Sequence, residues 1–299
     1  VFQAYYLPQS VQEALDILSK YNGQAAIIAG GTDIVLDIQE GKKSFNAFVD
    51  VSRIPDLQSI GEENGYLRLG ASVTHSQANR SALVQAAAPI LAEACGKVGS
   101  LQIRNIATLV GNVVNAQPAA DAAVALAALG AKAVIEDGKG RREALVEALY
   151  ADVGKSLIDP AKEIVTALLV PVQKKRQGSA FVRLDQRKAL ALPMLNVAAV
   201  VQLDEKGERF EWARIIMAPV GPGPVRGLEG EALLTGAAVS REAILEAAKA
   251  AVKQANPRSS ALRGSREYRM GVLPVLVKRA LEAAVEQAKR TDRRKGESQ

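Results

Sequence analysis

The chain has 299 residues, 48% of them hydrophobic, and a formal net charge of +6; that length can bury enough apolar surface for two or three domains. With one cysteine (Cys95) and one histidine (His75) it cannot assemble an iron–sulfur cluster or a Cys/His zinc centre, so any redox chemistry requires an organic cofactor. The longest apolar stretch, residues 119–135, carries Asp121 and Lys132 and falls short of the ~18 uncharged residues of a membrane span; the opening residues lack the order of a secretory leader, and a cytoplasmic location is expected.

Residues 5–24 are expected to form a helix, with Ser10 and Glu13 as a capping box and Val11, Ala14, Leu15 and Leu18 on one apolar face. Asn22-Gly23 ends it. Residues 25–29 and 47–51 read as short buried strands separated by a helix-like stretch, a small parallel β-α-β arrangement. From Pro55 the pattern changes. Residues 66–73 alternate as a strand, residues 81–99 and 119–130 read as helices, and residues 131–145 form a hairpin around Asp137-Gly138.

Residues 179–185 and 194–220 read as successive antiparallel strands with a turn at 204–207. Two amphipathic helices follow, at residues 240–255 and 266–289, the second kinked or broken by Pro274. The expected fold class is α+β in four segments. Two subdomains (1–54 and 55–173) precede a sheet-plus-helices domain at 174–290, and a basic tail occupies 291–299.

The positive charge is concentrated in Lys174, Lys175 and Arg176, which read as a connector, and in the tail. Five Phe, six Tyr and one Trp poorly supply a stacking platform for single-stranded nucleic acid. Cys95 lies in a helical pattern and reads as a small buried hydrophobe. His75 follows a strand and opens a helix, where capping or a surface contact is expected.

The chemistry-bearing stretches are residues 27–36, IIAGGTDIVL, and residues 104–121, RNIATLVGNVVNAQPAAD. Glycine pairs and a Gly-Asn step allow consecutive N–H groups to turn inward as an anion nest, and two nests can grip a diphosphate. Thr32, Asp33, Thr108, Asn112 and Asn115 add short polar side chains suited to phosphate or ribose. An acid beside a diphosphate would repel it, so Asp121 reads either as an acceptor for ribityl or ribose hydroxyls or as a cap of the helix it opens. The Gly-Pro-rich run at 219–227 reads as a rigid turn, and neither a Rossmann nor a Walker A fingerprint is present.

As an ordered pair, AGGTD (29–33) and IRNIATLVGNVVNAQPAAD (103–121) resemble the two FAD-contacting loops of the medium subunits of the molybdenum hydroxylases, the xanthine dehydrogenase and carbon monoxide dehydrogenase family. The flavin domain of that family has the p-cresol methylhydroxylase type of fold. VDVSRIPDLQSI, LRLGASVTHSQ, FVRLDQRKALALPMLNVAAVV and SALRGSREYRMGVLPVLVKRAL extend the resemblance over nearly the whole chain. It implies that Ala29, Gly30, Gly31, Thr32 and Asp33 wrap the FAD pyrophosphate, with Thr108, Gly111, Asn112, Asn115 and Asp121 completing the site. Two positions depart from the family pattern. Val110 stands where a glycine is usual; a β-branched residue disfavours positive φ, so either the loop tolerates it or its side chain packs on the flavin. Arg183 stands where a lysine near the isoalloxazine is common, and a cation near the flavin's pyrimidine edge would favour the anionic reduced form.

The resemblance further implies an electron-transfer role. Partners would be a large molybdenum-cofactor subunit and a small [2Fe-2S] subunit, assembled as a dimer of heterotrimers and working with an external acceptor. No residue is then expected to serve as a general acid or base. Two other readings of the residues are a stand-alone flavin oxidase of the same superfamily and a basic nucleotide- or nucleic-acid-binding protein.

Overall fold

The computed structural model describes residues 3–187, 190–261 and 263–296. Strand β1 (Ala4–Tyr6) leads into helix α1 (Val11–Tyr21), strand β2 (Ala25–Ile28), helix α2 (Ile34–Gln39) and strand β3 (Ala47–Asp50). The strands form a parallel sheet in the order β1-β3-β2. Helix α1 buries Ala14, Leu15, Ile17 and Leu18, and Asn22 ends it in the left-handed conformation at φ 44°.

Strands β4 (Ile60–Glu63) and β5 (Tyr66–Gly70) precede six short helices: α3 (His75–Arg80), α4 (Ala82–Ala87), α5 (Pro89–Lys97), α6 (Leu101–Ile106), α7 (Leu109–Val114) and α8 (Asp121–Leu129). The chain then forms the hairpin β6 (Lys132–Asp137) and β7 (Gly140–Leu145), a small ribbon of β8 (Tyr150–Asp152) and β9 (Lys155–Ser156), and β10 (Ile164–Pro171). The second sheet is antiparallel, in the order β4-β5-β10-β6-β7. Its core is continuous with that of the parallel sheet, joining α1, α5, α8 and the inner faces of β5 and β10.

A third sheet, antiparallel in the order β11-β12-β13-β14, comprises β11 (Gln177–Leu184), β12 (Leu195–Leu203), β13 (Phe210–Ala218) and β14 (Val225–Arg226). Helices α9 (Leu228–Leu234), α10 (Arg241–Ala251) and α11 (Arg266–Gly296) complete the chain, and a separate core forms between this sheet and α10 and α11. The fold is α+β, with an antiparallel sheet and helices in its C-terminal part.

Several local expectations need correction. Tyr5 and Tyr6 belong to β1 rather than to the first helix, because Pro8 separates the two elements. Ser10 does cap the Glu13 N–H, but the Glu13 carboxylate returns to the Gln9 N–H at 2.7 Å, one residue before the cap, so the box is not closed. The single helix expected over 81–99 is two helices. Ala88, preceding Pro89, is driven out of helical geometry to φ −148°, ψ 63°. Helix α11 runs unbroken through Pro274, and of the basic tail expected at 291–299, residues 297–299 lie outside the described residues.

Candidate functional site

The loop after β2 and the segment before α7 meet directly. A Cβ built on Gly30 would stand 2.1 Å from the Ile106 carbonyl oxygen and 2.9 Å from Ala107 Cα. No side chain fits there, so glycine is what lets the two main chains touch. Gly31 has φ 69°, the left-handed region in which side chains are strained. Beyond the contact, Thr32 and Asn115, the latter at the end of α7, are polar neighbours of the Asp33 carboxyl. Loss of hydration around that carboxyl raises its pKa and Asp37 adds repulsion, while Thr32, Lys43 and Asn115 oppose the rise.

A third segment supports the second. Residues 73–75 lie antiparallel to 107–109, through an isolated bridge between Thr74 and Thr108, a bond from Leu109 N–H to the Val73 carbonyl and one from His75 N–H to the Ala107 carbonyl, both 3.1 Å. Thr74 closes a full capping box with Gln77 at the start of α3. Threonine 108 likewise caps α7, its hydroxyl accepting from Gly111 N–H at 3.0 Å.

These segments border a cleft of about 540 Å³ lined by Ala29, Gly30, Ser52, Gln58, Ser72, Thr74, Gln77, Ile106 and Thr108. Every lining residue is uncharged. Among the described residues, the N–H groups of Gly30, Gly31, Thr32 and Asp33 donate to no backbone carbonyl. Unspent main-chain donors at a glycine-dependent crossing suit a phosphate-bearing ligand, and neutral hydroxyls and amides suit sugar hydroxyls and a heterocycle. The Oδ1 of Asn112 is buried without a hydrogen-bond partner among the described residues, a further open acceptor on α7.

The second half of the site is not the glycine nest expected from its sequence. Residues 109–114 are helical and neither Val110 nor Gly111 has a positive φ, so the backbone tolerates a β-branched residue at 110. The Val110 side chain is buried in the hydrophobic core shared with α5 and α8. What this segment offers at the cleft is the capped start of α7.

Asp121 and Arg183 lie against each other. Asp121 opens α8 without capping it, since no side-chain cap bond is made, and its carboxylate accepts from Asn196 Nδ2 at 2.8 Å and pairs with Arg183 Nη1 at 3.2 Å. Burial pushes the Asp121 carboxyl up to about 6, against the opposing pull of Arg183 and Asn196. Arg183 also donates to the Lys97 carbonyl at 2.8 Å and to the Ala191 carbonyl. Its Nε stands 2.7 Å from Asp185 Oδ1, without the alignment of a hydrogen bond.

Of the expected site residues, Ala29, Gly30 and Thr108 line the cleft; Gly31, Thr32 and Asp33 follow in the same loop, and Gly111, Asn112 and Asn115 lie in or at the end of the helix that Thr108 caps. The structure joins Asp121 to Arg183 as a separate pair. Ser52, Gln58, Ser72, Thr74 and Gln77 were not expected as lining residues, although all five fall in the stretches 49–60 and 67–77 that carry the family resemblance, and 74–77 also bears a Thr-x-x-Gln capping signature. His75 is neither a cap nor a surface residue. It is fully buried, neither ring nitrogen has a hydrogen-bond partner among the described residues, and burial next to Arg104 lowers its pKa to about 4. Cys95 is buried as expected, and burial raises its thiol pKa strongly.

Comparison with known proteins gives the family. Residues 1–173 match the family described as the FAD binding domain in molybdopterin dehydrogenase, and residues 180–284 the CO dehydrogenase flavoprotein C-terminal domain. The chain is 27% identical to the xanthine dehydrogenase FAD-binding subunit of Escherichia coli O157:H7, over 95% of this chain and 96% of that one. It is 31% identical to the 6-hydroxypseudooxynicotine dehydrogenase complex subunit alpha of Paenarthrobacter nicotinovorans, over 96% of each. A solved structure of carbon monoxide dehydrogenase from Hydrogenophaga pseudoflava superposes with a TM-score of 0.90 at 29% identity, covering 96% of this chain and 98% of that one. The chain belongs to the FAD-binding subunits of the xanthine and carbon monoxide dehydrogenase family of molybdenum hydroxylases, and its cofactor is FAD.

Proposed function

We propose that this chain is the electron-transfer subunit of a heteromeric molybdenum hydroxylase, passing electrons between the [2Fe-2S] clusters of a small partner subunit and an external acceptor. The observation that carries the reading is the crossing of the 29–33 and 106–108 segments beside a cleft with unspent N–H donors. With a single cysteine and a single histidine, the chain leaves clusters and molybdenum to its partners. The relatives named as subunits of dehydrogenases support that division. The assembly proposed is a dimer of heterotrimers with a large molybdenum-cofactor subunit, in the cytoplasm.

Within the chain, residues 1–54 and 55–173 are the proposed FAD-binding subdomains and residues 174–290 the C-terminal domain. The main chain at Ala29, Gly30, Gly31, Thr32 and Asp33 would grip the diphosphate from one side. Thr108, Gly111, Asn112 and Asn115 would complete the grip from α7, and Ser72, Thr74 and Gln77 would face the sugar and base. Uncharged donors of this kind hold an anion through oriented dipoles and shield it from water, which favours a tightly held cofactor. When bound, FAD supplies the redox chemistry, exchanging electrons singly with clusters and in pairs with an acceptor. The protein's own part is to hold, orient and desolvate.

The test uses the native complex, with its clusters reduced by a stoichiometric electron donor in the absence of oxygen. Removing FAD is expected to abolish reduction of the external acceptor while the clusters still become reduced. Undiminished acceptor reduction by the FAD-free complex would overturn the reading.

A further inference from the structure

We propose that Ser76 and Asn105 are positioning residues for the cofactor site, pinning α6 to α3 so that Ile106 presents its carbonyl to Gly30. Helix α6 stands immediately before the crossing, and Ile106 is its last residue. Apolar burial does little to anchor this helix. None of its six residues is buried, and Leu101 and Ile106 are 58% and 53% exposed. So short a helix does not hold its own shape in water, and tertiary contacts must supply what burial does not.

Those contacts are polar. Asn105 Oδ1 accepts from Ser76 Oγ at 2.6 Å and from Arg80 Nη2 at 3.3 Å, both on α3. Arg80 Nε also donates to the Ser76 carbonyl at 3.3 Å, so the three residues form a closed triangle. One residue earlier, Arg104 Nη1 donates to the Val98 and Gly99 carbonyls at 2.8 and 3.2 Å, drawing the segment that enters α6 against its last turn. Helix α3 is itself well anchored. Thr74 and Gln77 close a capping box at its start, and Asn79 donates to the Ala92 carbonyl of α5 at 2.8 Å. Because Ser76 is buried, loss of its acceptor would leave a hydroxyl unsatisfied away from water, which costs more than the bond itself contributes.

Ile106 is thereby fixed from both sides. After it, the Ala107 carbonyl accepts from His75 N–H at the start of α3; before it, Asn105 is held by the side chains of the same helix. Ile106 lines the cleft, whereas Ser76 and Asn105 do not, so their effect on a ligand there passes through the main chain at the crossing. The inference rests on FAD occupying that cleft, and the experiment below separates the two.

Amide hydrogen exchange is followed first in the FAD-free full-length chain. The Arg104 and Ala107 N–H groups, bonded to the Ser100 and Ile103 carbonyls, report on α6. Asn105→Leu and Ser76→Ala are expected to speed exchange at these two amides about tenfold, while amides of β12 and β13 keep the wild-type rate. Asn105→Asp, which keeps an acceptor for both donors, is expected to restore slow exchange. FAD titration then follows, and Asn105→Leu and Ser76→Ala are each expected to bind about tenfold more weakly than wild type. Wild-type exchange at Arg104 and Ala107 in both variants would overturn the pin. Faster exchange with unchanged FAD affinity in both would overturn its role in the cofactor site. A wild-type chain that binds no FAD would instead sink the reading of the cleft, while the exchange comparison would still decide whether Ser76 and Asn105 hold α6.

Discussion

Gly30 and Ile106 are in main-chain contact: a methyl group on the glycine would fall 2.1 Å from the isoleucine carbonyl oxygen. The crossing is rigid because residues 107–109 are also paired with 73–75. Gly30→Ala is therefore expected to push the two segments apart, costing about 2 kcal/mol or more of stability. FAD affinity should fall with it. Thermal unfolding and flavin titration of the variant measure both effects.

Gly31 is a different case. A side chain there meets only Ile28 and Val35 side chains, at 3.1 and 3.4 Å, but must adopt φ 69°. Gly31→Val is expected to cost about 1–2 kcal/mol of stability from that backbone strain. The fold should be retained, as circular dichroism would show, while the reoriented N–H groups no longer hold FAD.

Asn115 closes α7 as a polar neighbour of the Asp33 carboxyl, next to the capped segment proposed to grip the diphosphate. Asn115→Ala is expected to weaken FAD binding about tenfold, the worth of one hydrogen bond to the cofactor. An unchanged dissociation constant by fluorescence titration would place the diphosphate away from Asn115.

His75 makes stability pH-dependent. Its native pKa, lowered by burial from 6.5 to about 4, lies below its unfolded value. The neutral ring's contribution is thus fully present above pH 6.5 and is lost as pH falls towards 4, by about 3 kcal/mol at most. Asp121, raised to about 6, acts in the opposite sense over part of this range. The difference between wild type and His75→Leu cancels that contribution. The stability gap between the two proteins is expected to shift in favour of His75→Leu as pH falls from 7 to 4, as urea unfolding at each pH would show. A constant gap would contradict the assignment.

Much of this architecture was legible in the residues. The parallel β2-α2-β3 unit, the β6-β7 hairpin and the strands β11 to β13 all announce themselves through buried runs, alternation or turn residues. Strand β10 did not. Seven of its eight residues are buried, so it lacks the period of two that marks a half-exposed strand. Helix α7 was hidden for the opposite reason. Gly111 and Asn112 favour a loop, and only Thr108 capping and the burial of Leu109, Val110 and Val113 draw the segment into a helix. The glycine loop at 29–33 could be recognised as a place of close approach and paired with the 104–121 stretch, but that the contact falls on the Ile106 carbonyl could not be read. The pairing of Asp121 with Arg183 and Asn196 depends on how two sheets stack, which local pattern does not encode.

The most direct measurement is a titration of FAD into the purified full-length chain and its Gly31→Val variant, followed by flavin absorbance and fluorescence. The wild-type chain is expected to bind one FAD, and the variant to bind at least about a hundredfold more weakly with an unchanged circular dichroism spectrum. Equal affinity in the two proteins would contradict a diphosphate held at the crossing of residues 29–33 and 106–108.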